Sequence, residues 1–362
     1  MALGSEQQKA SDVKAAFGAR NRNRLIGEYF KNTGQSVTPE NAWEHVYRLL
    51  LWIDQTIGLA HCYESDKCQP GKNWYGRALA FHDWVSASLR ATPHGVADEI
   101  DWLFKRATDD LAKEVLSKAA RTAAAASRQR ENYEGRGFPK PGEDPDLVSI
   151  AKDVLKDYIQ EDPPENVWLE FVQKVRQHVT LENKRKNLVG EGFEDVLAHV
   201  IGRACPGGDV QVMARKLLQE IPGFARAKRA DKPNKIDLAV LRPGMRTIVS
   251  VKWSVRADRE KQFAAEFSEY VTAESEGKPF EYVFVTNEFD PARLMRACEK
   301  LASNAYMFSH VVHVNTDAVR ATYGDAREET MRRVLRYIED GRLISLEQWL
   351  KILCPQSEGR HR

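Results

Sequence analysis

The sequence predicts an α/β (α+β) fold in which a small mixed sheet is flanked by helices and preceded by an all-helical N-terminal domain. Three observations predict it. Two strand-like stretches flank a Pro-Gly turn within 235–253, further strand-like stretches follow it, and helical periodicity dominates residues 10–130. The 362 residues suit two or three domains, and a hydrophobic content of 42% is enough to build their cores.

Residues 1–134 are predicted to form the helical domain. Apolar residues recur at helical spacing from Ala42 to Leu59, and the pattern continues over Trp74 to Leu89 and Val96 to Ala126. Glycines and prolines then interrupt it at 135–145, which is predicted to be a linker or an ordered loop. Amphipathic helices suit either dimerisation or DNA contact, so the role of this domain is left open.

Residues 146–362 are predicted to form the second domain. Its sheet should contain the strands of the 235–253 hairpin and strands at Phe280–Thr286 and Ser309–Val314, where Tyr282 and Phe284 pack within the sheet rather than stack on bases. Its helices are predicted at 146–160, 165–179, from Gly190 onward, from Asp258 onward, and at 290–303, 328–338 and 345–353.

The hairpin carries the first candidate site residues. Lys235–Leu241 alternates polar and apolar residues, Thr247–Trp253 is rich in β-branched residues, and a turn signal lies between them. Alternate residues of a strand share a face, so Ser250 and Lys252 point the same way. We expect that face to lie towards Asp237, so that the acid and the lysine meet.

The helix that follows carries a second acid. Its residues Arg259, Gln262, Phe263, Glu266, Phe267 and Tyr270 recur at spacings of three and four, with Asp258 as the predicted N-cap. Glu266 therefore lies two turns beyond Arg259 on the same face. One strand-to-helix unit is predicted to gather a lysine, two arginines and two carboxylates around one point.

These residues resemble the PD-(D/E)xK nuclease core, in the variant found in type II restriction endonucleases that recognise CCGG. In that group a serine replaces the carboxylate two residues before the lysine and a glutamate on the following helix takes over its role, as Ser250, Lys252 and Glu266 would here. The group also carries an Arg-x-Asp-Arg element, matched by Arg256, Asp258 and Arg259. Ile236 departs from the pattern, because proline is common there. The resemblance covers roughly residues 185 to 290 and none of the first half.

The resemblance implies Mg²⁺-dependent double-strand cleavage before the first cytosine of a palindromic site with a CCGG core, leaving four-base 5′ overhangs. Asp237 and Glu266 would be the metal ligands, since Mg²⁺ prefers oxygen ligands. Lys252 would orient or deprotonate the attacking water, and Ser250 would assist by hydrogen bonding. An acid from a preceding helix is also implied. Glu194 is our choice and Glu191 the alternative, although either could be a solvated first-turn acid favoured by the helix dipole.

The same resemblance assigns base recognition to Arg256, Asp258 and Arg259. Arginine pairs with guanine O6 and N7, and a carboxylate accepts from cytosine N4, so the three could read neighbouring G·C pairs. The structural alternative is a surface ion pair at a helix start. A palindrome calls for a homodimer or a higher homo-oligomer bound to double-stranded DNA. A companion cytosine methyltransferase is expected, since unprotected cellular DNA would be cut.

Composition limits the function without deciding it. A net charge of +2 means that DNA affinity must come from local clusters, which occur at 184–186 and 226–235, although such runs are more often solvated. The sequence shows no apolar run long enough to span a bilayer and no signal-peptide core, so a soluble protein of the prokaryotic cytoplasm is expected. The five cysteines fit reduced thiols, and His61, Cys62 and Cys68 lack a fourth zinc ligand.

Two other functions are compatible with the sequence. One is a related nuclease that reads an interrupted CC(N)GG site or acts in repair or transposition. The other is a non-catalytic DNA-binding protein with a nuclease-like fold, in which the acids and the lysine are structural. Mapping of cleavage sites separates all three.

Overall fold

The computed structural model describes residues 18–50, 53–54, 58–59, 70–72, 74–92, 144–207, 209–225, 235–255 and 260–355, with isolated positions between 109 and 129. The side chains at 53–54, 58–59, 177, 180–188 and 260 are not among the described ones. Internal packing divides the chain into two units: Met1–Asn21 with Phe104–Leu188, and Arg22–Leu103 with Val189–Arg362. The predicted boundaries at 134 and 145 stay a prediction, because residues 130–143 are outside the described part.

The helices, in chain order, are α1 (Ala19–Thr33), α2 (Ala42–Leu50), α3 (Tyr75–Leu89), α4 (Pro145–Leu155), α5 (Glu165–Ala204), α6 (Glu260–Ala273), α7 (Pro291–Glu299), α8 (Thr316–Tyr323), α9 (Glu329–Glu339) and α10 (Leu346–Leu353). The strands are β1 (Ile53–Asp54), β2 (Gly58–Leu59), β3 (Gln211–Ala214), β4 (Leu238–Arg242), β5 (Met245–Lys252), β6 (Phe280–Thr286), β7 (Leu301–Ala302), β8 (Ala305–Tyr306), β9 (His310–His313) and β10 (Leu343–Ser345).

A six-stranded mixed sheet lies in the second unit, with the strand order β10-β9-β6-β5-β4-β3. Strands β5, β6, β9 and β10 are mutually parallel, whereas β4 runs antiparallel to both of its neighbours. The central parallel strands β5 and β6 are largely buried on both faces, as their apolar and β-branched sequences indicate. The predicted mixed sheet flanked by helices is therefore present.

The predicted hairpin is formed by β4 and β5. Their register pairs Leu238 with Val249 and Arg242 with Met245, which leaves Pro243 and Gly244 as the turn. Gly244 has a φ of 74°, a conformation that glycine adopts without a steric penalty. The register places the end of β5, which carries the predicted serine and lysine, beside the residue that precedes β4.

Aromatic side chains pack α6 against the sheet. Phe263 lies 5.1 Å from Phe284 and Phe267 lies 5.7 Å from Tyr282, measured between ring centroids. Tyr282 and Phe284 are both buried, as predicted for sheet packing. The spacing of three and four residues along α6 thus places one face of the helix on β6 and carries Glu266 with it.

Helix α5 corrects the prediction that a separate helix opens at Gly190. It runs without interruption from Glu165 to Ala204, so Glu191 and Glu194 are interior residues and not acids of a first turn. A glycine inside a helix costs only about 1 kcal/mol relative to alanine. Burial of Phe193, Val196 and their apolar neighbours outweighs that cost.

The predicted helix from Ala42 to Leu59 also differs from the structure. Helix α2 ends at Leu50 instead of continuing to Leu59, and β1 pairs with β2 in antiparallel register. The β-branched Ile53 favours a strand, and Gly58 disfavours a helix. An all-helical N-terminal domain is therefore not what the described residues form, and most of the predicted helix 96–126 lies outside them.

The expectation that the five cysteines are reduced thiols is wrong for two of them. Cys205, just after α5, and Cys354, just after α10, form a disulfide across 149 residues of sequence, with their Cα atoms 5.5 Å apart. Cys298 is free and buried, whereas Cys62 and Cys68 lie outside the described residues. Spacing along the chain could not reveal the pair, because only the folded sheet and helices bring the two ends together.

Within the described residues, no helix combines the length and apolar character needed to cross a lipid bilayer.

Candidate active site

The centre of the candidate site is Asp237, which immediately precedes β4. Its carboxylate oxygen Oδ2 accepts three hydrogen bonds: from the Ser250 hydroxyl at 3.3 Å, the Val251 backbone N–H at 2.7 Å and the Lys252 ammonium at 2.6 Å. The hairpin register produces this arrangement, because it sets the end of β5 beside the start of β4. The structure thus brings together the acid, the serine and the lysine that the sequence singles out.

Glu266 approaches from α6. Its two carboxylate oxygens accept from Gln262 Nε2 at 2.7 Å and from the Tyr282 hydroxyl at 3.2 Å. Burial raises the pKa of Glu266, the Lys252 ammonium lowers that pKa, and the Asp237 carboxylate raises it further. Glu266 is therefore close enough to the Asp237–Lys252 pair for both charges to affect its ionisation.

Glu194 approaches from the C-terminal half of α5. Its side chain is 13% exposed, and its pKa is raised to about 8, first by burial and then by the Asp237 carboxylate. The positive charges of Arg215 and Lys252 oppose that rise. Packing of Phe193 edge-on against Trp253, with ring centroids 5.1 Å apart, holds this part of α5 against the end of β5.

Glu191, the alternative upstream acid, has different surroundings. Its side chain is 55% exposed and forms an ion pair with the buried Arg22, with Nη1 and Oε2 2.6 Å apart. The Arg22 Nε also donates to the buried Asp195 carboxylate at 2.6 Å. Glu191 is thus engaged with α1, whereas the pKa of Glu194 responds to the charges at the centre of the site.

Sequence reasoning missed Arg215, which follows β3. Its backbone N–H donates to the Asp237 carbonyl oxygen at 2.9 Å. Its guanidinium donates to three groups on α5: the Glu191 carbonyl at 3.2 Å, the Glu194 carboxylate at 3.3 Å and the Asp195 carboxylate. No signal in the sequence pointed to this residue, because its partners on α5 precede it by 20 to 24 positions.

The predicted recognition residues Arg256, Asp258 and Arg259 lie outside the described residues, and so do Arg226, Lys228, Arg229 and Lys232 of the basic cluster.

Val255 is the last described residue before Arg256, and its backbone has a defined contact. Its backbone N–H donates to Glu288 Oε2 at 2.7 Å. Glu288 is fully buried and also accepts from the Phe289 and Asp290 backbone N–H groups. Burial raises the pKa of Glu288 to about 7. A buried acid beyond the end of β6 thus holds the backbone of Val255, the residue that precedes Arg256 in the sequence.

The acids fit a magnesium site of the kind that proteins complete with water and substrate phosphates. Mg²⁺ is usually bound through one or two carboxylates plus phosphate oxygens. Asp237 and Glu266 supply two carboxylates. Burial and the Asp237 carboxylate both raise the pKa of Glu266, so a cation there would relieve an unfavourable concentration of negative charge. Among the described residues, no group of three or more His, Cys, Asp or Glu side chains is arranged to hold a metal by itself.

Comparison with known proteins identifies no family for this chain. No protein-family model matches the chain, and no curated protein matches it. Among solved structures, similarity is found to the complex of restriction endonuclease PspGI with substrate DNA, at a TM-score of 0.35 and 12% sequence identity, covering 92% of this chain and 91% of that chain. A TM-score this low does not establish a shared fold.

Proposed function

We propose that this chain is a type II restriction endonuclease that cleaves both strands of DNA at a palindromic site with a CCGG core. The observation that supports the proposal most is the convergence of Ser250, Val251 and Lys252 on one carboxylate oxygen of Asp237 at the end of the hairpin. Glu266 and Glu194 flank that point from two helices. Carboxylates that can hold a divalent cation, beside a lysine that can position a water, suit metal-dependent hydrolysis of a phosphodiester.

Asp237 and Glu266 would hold Mg²⁺, which supplies stabilisation of the charge that develops on the phosphate and makes the attacking water more acidic. Lys252 is already oriented by its ion pair with Asp237, so its ammonium can position the water and offset phosphate charge. Ser250 donates to the same carboxylate and helps to fix its orientation. Glu194, which is largely buried and close enough to Asp237 for that carboxylate to raise its pKa, would be the acid that the preceding helix contributes to the site.

Base recognition is assigned to Arg256, Asp258 and Arg259 on chemical grounds. Two arginines and one carboxylate match the guanine acceptors and the cytosine donor of neighbouring G·C pairs. The segment begins only four residues after the proposed catalytic lysine and directly after Val255, which Glu288 holds in place. The residues proposed to recognise bases would thus lie only a few positions along the chain from the lysine proposed to act in cleavage.

The proposed activity has further consequences for partners. Symmetric cleavage of a palindrome requires two active sites, which a homodimer or a higher homo-oligomer supplies. Cleavage before the first cytosine leaves 5′-CCGG overhangs. The host, proposed to be a prokaryote with the enzyme in its cytoplasm, needs a companion cytosine methyltransferase to protect its own DNA.

Digestion of a plasmid of known sequence, with and without Mg²⁺, followed by mapping of the ends, tests the proposal. Discrete Mg²⁺-dependent cuts that share a CCGG core support it and also reveal the outer bases and the overhang. Cuts with an interrupted CC(N)GG core or with no common sequence would reassign the chain to a different nuclease activity. Sequence-specific binding without any cleavage would make it a DNA-binding protein.

A further inference from the structure

Arg215 adopts a backbone conformation that arginine rarely takes. Its φ of 50° lies in the left-handed region, which is unfavourable for any residue with a Cβ atom and easy for glycine. Strained residues of this kind persist where the surrounding contacts determine the conformation, and they cluster at functional sites. The side chain of Arg215 must therefore contribute something that a glycine at this turn would not.

The contacts of Arg215 join the two sides of the candidate site. The backbone N–H donates to the carbonyl oxygen of Asp237 at 2.9 Å, which fixes the residue that carries the central carboxylate. The guanidinium Nη1 donates to Glu194 Oε2 at 3.3 Å and to the Glu191 carbonyl at 3.2 Å, and Nη2 donates to Asp195. One residue thus spans from the start of β4 to the helix that bears Glu194.

Charge compensation of the buried Asp195 does not by itself account for Arg215. Asp195 Oδ2 is already paired with the buried Arg22 at 2.6 Å, while Arg215 binds the other oxygen, Oδ1. Glu194 is in a different situation from Asp195. Burial and the Asp237 carboxylate both raise the pKa of Glu194 and so disfavour its charged form, whereas Arg215 donates to that carboxylate and forms an ion pair with it. Among its contacts on α5, the one with Glu194 is the one that links Arg215 to the charges of Asp237 and Lys252.

We infer that Arg215 is a positioning residue that sets the distance and orientation of Glu194 relative to Asp237, and thereby tunes how the site takes up a divalent cation. The inference rests on the proposed nuclease function. Arg215 acts through Glu194, because its guanidinium is directed at α5 and its contact with Asp237 is made by the backbone.

Three variants separate positioning from strain and from charge. Arg215→Ala removes the guanidinium and keeps the unfavourable φ, whereas Arg215→Gly removes the guanidinium and relieves the φ. Arg215→Lys keeps a positive charge but cannot contact all three α5 groups together. The matched control is Lys216→Ala, because Lys216 is the neighbouring cation and its ammonium pairs with the exposed Glu220 at 3.5 Å. Thermal unfolding of each variant verifies folding before any comparison.

Three readouts are measured: kcat and KM for cleavage of a DNA containing the mapped site, the Mg²⁺ concentration for half-maximal rate, and the shift in unfolding midpoint that Mg²⁺ produces without DNA. Misplacement of a catalytic group by about 1 Å can lower a rate about 100-fold, so Arg215→Ala and Arg215→Gly should both lower kcat by about that factor with KM unchanged. Both should also need more Mg²⁺ and show a smaller Mg²⁺-induced shift. Arg215→Lys should recover part of each loss, and Lys216→Ala should match the wild type.

A double variant gives the sharpest result. Because Arg215 acts through Glu194, the pair Glu194→Gln and Arg215→Ala should lose no more activity than Glu194→Gln alone, whereas independent roles give additive losses. Three results would each overturn the inference. They are additive losses in the double variant, wild-type values of all three readouts for Arg215→Ala, and full activity of Arg215→Gly.

The result can be distinguished from failure of the proposed function. If the wild type cuts DNA and the Arg215 variants cut equally well, the positioning role fails and the nuclease assignment stands. If the wild type cuts no DNA, the nuclease assignment fails, and the Mg²⁺-induced shift alone decides the positioning role. A wild-type shift that is reduced in Arg215→Ala supports that role, and an equal shift or none in the wild type overturns it.

Discussion

Lys252 and Asp237 form an ion pair 2.6 Å long, made by residues that lie fifteen positions apart on the two sides of the β4–β5 turn. The same carboxylate oxygen also accepts from the Val251 backbone N–H. The acid is thus fixed by backbone and side chain together, and the lysine is fixed by the acid.

Removal of the lysine should separate cutting from binding. Lys252→Ala should lower the cleavage rate by about 100- to 10,000-fold, the range that a positioned acid–base group contributes. Affinity for the DNA site, measured by gel shift in Ca²⁺, should change little, because base recognition is assigned to other residues. Lys278→Ala, which removes an exposed lysine paired with Glu276, is the control for general charge loss. Cleavage by the Lys252 variant at the wild-type rate would show that the active site lies elsewhere.

The two upstream acids should behave differently. Glu194→Gln should reduce kcat by about 100-fold or more, since Glu194 is largely buried and lies close enough to Asp237 and Lys252 for their charges to affect its pKa. Glu191→Gln should retain nearly full activity, because that side chain is half exposed and pairs with Arg22. Single-turnover cleavage of a site-containing DNA measures both. Equal losses in the two variants would contradict this difference in roles.

Glu288 should make stability depend on pH. Its folded-state pKa of about 7 lies above the ordinary value of 4.5, so its contribution to stability is fully present below about pH 4.5 and is lost as the pH rises through 7. The loss is on the order of 3 kcal/mol for a shift of this size in a fully buried group. Urea unfolding at about pH 5 and pH 8 should show a steeper decline for the wild type than for Glu288→Gln. The exposed Glu328→Gln should decline like the wild type; a parallel decline of the Glu288 variant would refute the assignment.

Two glycines should respond in opposite directions to alanine. A Cβ at Gly223 would lie 1.8 Å from Arg246 Nη1, and the φ of 83° disfavours alanine, so Gly223→Ala should lower the free energy of unfolding by about 1 to 3 kcal/mol or more. A Cβ at Gly190, inside α5, would meet no atom within 4 Å, so Gly190→Ala should raise the free energy of unfolding by about 0.5 to 1 kcal/mol. Denaturant unfolding of both variants measures the contrast.

The Cys205–Cys354 disulfide should stabilise the oxidised protein. It closes a loop of 149 residues in the unfolded chain, and removal of such a bond typically costs about 2 to 5 kcal/mol. A reductant should therefore lower the unfolding midpoint of the wild type and leave that of Cys354→Ser unchanged. A midpoint that reductant does not move would show that the two sulfurs are thiols in solution, as a reducing compartment would favour.

The central sheet could be predicted closely because its sequence signals are local. The strand Phe280–Thr286 is rich in aromatic and β-branched residues, and the Pro243-Gly244 turn sets the hairpin register without help from distant residues. The position of Asp237 opposite Lys252 follows from that register. Short strands such as β3 and β10 lacked such signals, since they are recognisable only through the neighbours with which they pair.

Apart from Glu194, which was the predicted upstream acid, the contacts of the upstream part of the site could not be predicted, because they join residues that are distant in sequence. Gly190 suggested a helix boundary, but burial of Phe193 and its apolar neighbours carries α5 through it. The ion pair of Arg22 with Asp195 joins residues 173 positions apart, and the role of Arg215 depends on a turn conformation that arginine rarely adopts. Tertiary packing determines all three features, and it produces no periodic pattern in the sequence.

The hydrogen bond from Val255 to Glu288 has a consequence for engineering. It attaches the chain to the folded scaffold at one end of residues 256–259, and α6 begins at Glu260 on the other. Under the proposed function, the four residues 256–259 could be exchanged as one unit. A library randomised at 256–259, built with Lys252 and Glu288 untouched, would therefore search for new sequence preferences without disturbing the hydrolytic machinery.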